Sequence, residues 1–206
     1  MKRAKRLIAL ATIVVALSAC AGIKTFTKAQ LGGLMLNSAD TPTGLQFITQ
    51  GSGPYTLDQL AKDDSEKTKL TSYGFQSAYS SFFANTGAIA VLSQSTQTAD
   101  PSSHVVAALG VLFTNEDGAK KALVLEHASD VATGTNITTV PVEKIGQDTI
   151  AESGTQENIP FPGFLVYWRE GNAIFGVLVA GGPTAGVTLA EATALAKKME
   201  ARAQAA

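Results

Sequence analysis

The chain has 206 residues, 16 Lys and Arg against 17 Asp and Glu, 45% hydrophobic residues and 19 glycines, which suffices for one globular domain with a sizeable core. One cysteine excludes an intramolecular disulfide or a thiolate metal cluster, and two histidines cannot supply a His-rich metal site. A net charge of −1 argues against nucleic acid, which needs a basic face to neutralise phosphates. The charge is unevenly placed: Lys2, Arg3, Lys5 and Arg6 crowd the first six residues, and Leu7 to Ala19 (LIALATIVVALSA) carries none. A basic stretch followed by a short apolar run is the pattern of a secretory signal, and it falls short of the roughly 20 residues that span a bilayer.

Leu17-Ser18-Ala19-Cys20 closes this run. It resembles the lipobox of bacterial lipoproteins, in which an aliphatic residue and two small residues precede an invariant cysteine. The resemblance implies that the Cys20 sulfur takes a diacylglycerol group and that a peptidase, admitted by the small residues at 18 and 19, cuts before it. Residues 1–19 would then be a signal peptide and residues 20–30 a lipidated cysteine with a short tether. Removing residues 1–19 takes four basic side chains and no acidic one, so the exported part has a side-chain charge of −5. Acyl chains rather than charge would hold it to the membrane, each buried methylene contributing about 0.8 kcal/mol. Ala21 is not aspartate, which by the same resemblance argues against inner-membrane retention in a diderm host and has no meaning in a monoderm one.

Residues 31–206 read as a single α+β domain: a mainly antiparallel sheet of about five to seven strands with helices packed on it, the last a C-terminal amphipathic helix. Lys28 to Asn37 suggests a short helix weakened by Gly32 and Gly33. Thr41-Pro42-Thr43-Gly44 is a turn signal, Gln50 to Pro54 a loop, and Thr56 an N-cap for a helix through Leu57 and Leu60. Lys62 to Lys69 is a mixed charge run. Its adjacent Asp63 and Asp64 lack further oxygen ligands at fixed spacing and read as solvated surface rather than a cation site.

From Thr71 the alternation is strand-like through Phe82 and Phe83, Ala88 to Ser93 (AIAVLS) reads as a further strand, and Val105 to Phe113 as a largely buried one. Antiparallel pairing of these last two runs across the polar stretch Ser95 to Ser103 is the simplest arrangement. Thr114-Asn115-Glu116-Asp117 resembles a capping box opening a helix through Asp130. His127 lies on or beside its apolar face. Without a partner cysteine, and with only His104 elsewhere, it reads as a half-buried side chain satisfied by a backbone carbonyl rather than as a proton switch or ligand.

Asn136 to Val142, interrupted by Pro141, suits a sheet edge. Thr149 to Glu152 follows, and then the strongest strand, Phe161 to Arg169, joined by Glu170-Gly171-Asn172 to Ala173 to Ala180 as a hairpin. Phe164, Val166 and Trp168 share one face and Leu165, Tyr167 and Arg169 the other, so the sheet is expected to be covered on both sides, at least in its centre. Thr188-Leu189-Ala190-Glu191 caps the last helix, with Leu195 and Met199 toward the core.

This element order, with the Thr-Asn-Glu-Asp box, the stretch Val142 to Asp148 and the Tyr-Trp-Arg-Glu-Gly-Asn hairpin, resembles exported sensor-like lipoprotein domains of the PsbP-like group and the mycobacterial kinase sensor domain, over roughly residues 31–203. The kinase sensor domain is disulfide-stapled, and this chain departs from it in having no cysteine left for that. The resemblance implies binding or accessory proteins and no reaction.

Catalytic templates are missing: no Gly-x-Ser-x-Gly elbow, Ser-x-x-Lys pair, His-Glu-x-x-His helix or P-loop occurs. The expectation is therefore an exported lipoprotein on the outer or periplasmic face of a bacterial membrane, non-enzymatic and without cofactor or metal. It would contact a small ligand or an envelope protein through loops such as Gly51 to Tyr55, Ser95 to Ser103 and Ser153 to Pro162. The alternative is an envelope hydrolase or transferase with a site near His104 or His127.

Overall fold

The apolar alternation of the second half of the chain builds the centre of the molecule, and local capping decides where helices interrupt it. The computed structural model describes residues 24–93, 100–157 and 159–206; the signal segment, the lipobox Leu17-Ser18-Ala19 with Cys20, and residues 95–99 of the polar loop lie outside the described residues. In chain order the elements are helix α1 (Lys28–Leu34), strands β1 (Gln46–Phe47) and β2 (Gly53–Tyr55), helices α2 (Leu57–Leu60) and α3 (Asp64–Ser72), strand β3 (Phe75–Ala84) and helix α4 (Thr86–Ser93). Strand β4 (His104–Phe113), helix α5 (Glu116–Thr133), strands β5 (Thr135–Thr139), β6 (Asp148–Thr155), β7 (Pro162–Glu170) and β8 (Ala173–Gly181) and helix α6 (Leu189–Ala205) follow. All strand pairings are antiparallel, in the order β1-β3-β4-β8-β7-β6-β5, with β2 also on β3. The expected α+β domain with a C-terminal amphipathic helix is thus what the chain forms. Among the described residues its sheet has eight strands, because Gln46–Phe47 and Gly53–Tyr55, the latter part of a stretch that reads as loop, both add to β3.

Four local readings change. Ala88 to Ser93 is helical rather than extended. Asn85 caps α4, its Oδ1 accepting from the Ala88 N–H at 2.9 Å, and the strand slots beside β4 are already taken by β3 and β8. Both observations override the β-branched composition. The charge run 62–69 is mostly α3, capped by Asp63, which accepts from the Glu66 N–H at 2.7 Å; Glu66 in turn accepts from the Lys62 N–H at 2.6 Å, tying the residue before the cap to the first turn. Strand β3 accordingly begins at Phe75, after that helix, not at Thr71. Asn115, not Thr114, caps α5, accepting from the Gly118 N–H at 2.9 Å.

The two faces of the sheet are covered differently. On one, α1 and α6 lie over β4, β7 and β8, and Leu31, Met199, Trp168, Phe83 and Leu112 are fully buried in one cluster. Trp168 stacks on Phe175 with ring centroids 5.6 Å apart and donates its indole N–H to Glu200 at 3.0 Å. On the other face α2, α3 and α5 pack Leu70, Phe113, Ala119 and Leu123 at the end near the β7–β8 turn. Helix α4 and Phe161 cover the opposite end. The centre between these two clusters is left open, contrary to the expectation that both faces are covered there.

The chain entering α1 is docked. The Phe26 N–H donates to Asn172 Oδ1 at 2.7 Å, and Asn172 donates onward to the Phe113 carbonyl at 2.9 Å. Gly171 in the β7–β8 turn has φ +54, and a Cβ there would stand 1.8 Å from the Lys24 carbonyl oxygen, so both the turn and the docked segment require glycine.

Candidate functional site

Antiparallel register aligns the open centre into two rows across the sheet. One runs Ser80, Leu109, Gly176, Tyr167, Ile150, and the next Phe82, Ala107, Leu178, Leu165, Glu152. Because Ala107 and Gly176 are small, the floor sinks between larger neighbours. A Cβ on Gly176 would meet nothing closer than Tyr167 Cβ at 3.6 Å. The result is a cleft of about 330 Å³, walled by Leu60 of α2, Ile159 and the acid side of α5. That is the lower end of the range for small-molecule sites. Tyr55 and Gly51, from one of the loops expected to contact a ligand, line it, as does Ile159 from another; Ser153 to Thr155 belong instead to strand β6.

The polar end of the cleft is built by α5, β6 and β7. Glu126 and Asp130, one helical turn apart, both face it, with Tyr167 on the floor. The Tyr167 hydroxyl donates to Glu152 Oε1 at 2.7 Å. Glu152 is fully buried, its Oε1 also meets His127 Nδ1, and its Oε2 is buried without a partner among the described residues. Lys62 reaches Asp130 Oδ1 at 3.3 Å. Burial, with repulsion from Asp130 and Glu66, pushes the Glu126 carboxyl up to about 7, Lys62 pulling the other way. Burial likewise raises Asp130 despite the attraction of Lys62, with Glu152 and Glu66 adding to the rise. Burial and the bond donated to Glu152 push the Tyr167 phenol up strongly, so its proton stays.

His127 therefore bonds to a buried carboxylate and a hydroxyl, not to a backbone carbonyl. The Tyr167 oxygen lies 3.2 Å from His127 Nδ1, the same nitrogen that meets Glu152. A nucleophile relay needs the acid on one ring nitrogen and the nucleophile on the other. Here both contacts converge on Nδ1, and the hydroxyl donates its hydrogen bond to the acid. His104 is on the other face of the sheet, its Nε2 3.1 Å from Glu191 Oε1 in the first turn of α6. The sheet separates the two histidines, and the structure does not bring them together. Among the described residues no three His, Asp, Glu or Cys side chains converge as metal ligands, Asp63 and Asp64 included. Nor is any described helix long and apolar enough to cross a membrane.

Sequence reasoning missed Glu126, Asp130, Glu152 and Tyr167 as a group. One signal for the first two was available: Glu126 and Asp130 are like charges at i and i+4 on one helix, which repel.

No protein-family model matches the chain, and no curated protein matches its sequence. Among solved structures the chain is similar to the extracellular domain of PknH from Mycobacterium tuberculosis. The TM-score is 0.58 at 16% identity, over 90% of this chain and all of that one. At that identity the likeness establishes a shared fold, the one the sequence pattern suggested.

Proposed function

We propose that this is a lipid-anchored exported domain that binds a small, largely apolar ligand in the cleft and catalyses no reaction. The observation that carries the binding reading is the cleft itself: an apolar floor sunk by Ala107 and Gly176, with a few convergent polar groups at one end. The fold shared with an extracellular domain agrees with export, and the lipobox ending at Cys20 supports the anchor. Since Lys24 is docked, the link from Cys20 to the fold is four peptide units, at most about 14 Å. The β7–β8 turn around Gly171 would then lie at the membrane side. The geometry of His127 and His104 gives the hydrolase or transferase alternative no support, because the carboxylate and the hydroxyl at His127 share Nδ1, and among the described residues no hydroxyl bonds its other ring nitrogen or either ring nitrogen of His104.

The neutral, polarity-sensitive dye N-phenyl-1-naphthylamine tests the binding reading. Its fluorescence is expected to rise on saturable binding to the chain, and an absence of saturable binding would overturn it. The anchor has a separate test. Cys20→Ser is expected to accumulate as an uncleaved precursor without lipid by intact mass; a processed, membrane-bound variant indistinguishable from wild type would sink the lipoprotein reading.

A further inference from the structure

The cleft is asymmetric in charge as well as shape. Its floor and far wall are contributed by Leu109, Leu165, Leu178, Phe82 and Ile159 and carry no charge. At the α5 end, four carboxylates gather: Glu126 and Asp130 in the lining, Glu152 at the end of the row through Leu165 and Leu178, and Glu66 behind them. Against them stand Lys62, bound to Asp130, and His127, bound to Glu152. Glu126 makes no ion pair among the described residues, and Glu152 keeps a fully buried oxygen with no donor. Strands β3, β4 and β8 add no charged side chain to the lining. An unpaired acid at the edge of an apolar cavity leaves one deficiency, a positive group with N–H donors.

We propose that the cleft selects an amphiphile with a cationic head, its aliphatic body lying over Leu109, Leu165 and Leu178 and its ammonium group meeting Glu126 and Asp130. This rests on the reading of the cleft as a ligand site and adds the charge of what it takes. An anionic amphiphile would meet the two lining acids, Glu126 and Asp130, in a low-dielectric setting and be rejected. A neutral one gains only the apolar contact. Because Glu126 holds its proton up to about pH 7, the cation must displace that proton at lower pH, so affinity for it rises as pH rises through 7.

The test compares three probes that share an eight-carbon chain, octylammonium, 1-octanol and octanoate, by titration calorimetry against the full chain in nanodiscs of neutral lipid, with empty nanodiscs subtracted. Octylammonium is expected to bind about tenfold more tightly than octanol, with octanoate weakest. The gap should widen between pH 6 and pH 8 while octanol binding stays constant. The double variant Glu126→Gln, Asp130→Asn is expected to remove the preference and leave octanol binding in place. Equal binding of all three probes, tighter binding of octanoate, or a preference that survives in the double variant overturns the cationic-head inference and leaves the cleft reading standing. Failure of both octanol and octylammonium to bind overturns the cleft reading as well. The pH comparison on the unaltered chain decides the matter even if the double variant does not fold.

Discussion

The two faces of this sheet use the same strands and similar residues, yet one is sealed and the other is open. On the α1/α6 face Trp168, Met199 and Leu31 are fully buried in one cluster. On the α5 face the helices stop short, and small residues in adjacent rows on β4 and β8 leave a hollow. A strand pattern that is apolar on both sides therefore says where a cover is needed and not whether it is complete. Completeness depends on side-chain volume in the rows across the sheet, and that is set by register.

The contrast breaks most visibly on the sealed face. Met199→Ala removes a fully buried side chain from between α6 and the sheet and is expected to cost about 2–5 kcal/mol. Urea unfolding followed by Trp168, the only tryptophan, reads this directly. A cost below about 1 kcal/mol would mean that the face is looser than its burial indicates. Gly110 offers a finer probe of the same side. A Cβ there would stand 2.7 Å from Met35 Cε and 3.0 Å from Leu31 Cδ1, so Gly110→Ala is expected to destabilise by about 1–3 kcal/mol through overpacking.

The sealed face was largely legible in the sequence. The i, i+4 pair Leu195 and Met199, the Thr188 cap and the alternation of Phe164, Val166 and Trp168 placed α6 and β7, while the side of the sheet that α6 covers came only with the fold. The open face was not, for physical reasons. Glu152 sits in strand β6 as one polar residue among short side chains, and only the pairing of β6 with β7 brings it to Tyr167. Gly176 looks like a weak point of a strand until Leu109 and Tyr167 are seen on either side of it. AIAVLS was misread for the same kind of reason: its fate was decided by a cap at Asn85 and by the occupancy of neighbouring strand slots, which local composition does not record. His127 was correctly placed beside the apolar face of its helix, but its partner came from a strand 25 residues away.

On the open face, charge is the sharper instrument. The Glu126 carboxyl has an ordinary value of 4.5 and is pushed to about 7 in the fold. Its folded-state value is thus above its unfolded one, so its favourable contribution is fully present below about pH 4.5 and is lost as pH rises through 7. Glu126→Gln removes that loss. The variant is expected to match wild type in stability near pH 4 and to exceed it by about 1–2 kcal/mol at pH 8, measured by denaturant midpoints at both values. An equal effect at both pH values would show that packing, not ionisation, governs this position.

The smallest expected change in stability carries the most information about the hollow. Gly176 and Gly110 lie on adjacent strands and face opposite sides of the sheet, but the space above them differs. Above Gly176 the nearest heavy atoms to a new Cβ are Tyr167 Cβ at 3.6 Å and Leu165 Cδ1 at 3.9 Å, ordinary contact distances. Gly176→Leu thus grows into open space, replaces the most flexible residue in a strand with one that packs, and is expected to change stability by no more than about 1 kcal/mol in either direction. Its isobutyl group occupies the floor between Leu109 and Tyr167, so saturable N-phenyl-1-naphthylamine binding is expected to fall sharply in a protein whose unfolding midpoint has hardly moved. If the variant folds as well as wild type and still takes up the dye with unchanged affinity, the dye sits elsewhere and the hollow between the two helical clusters is not the binding site.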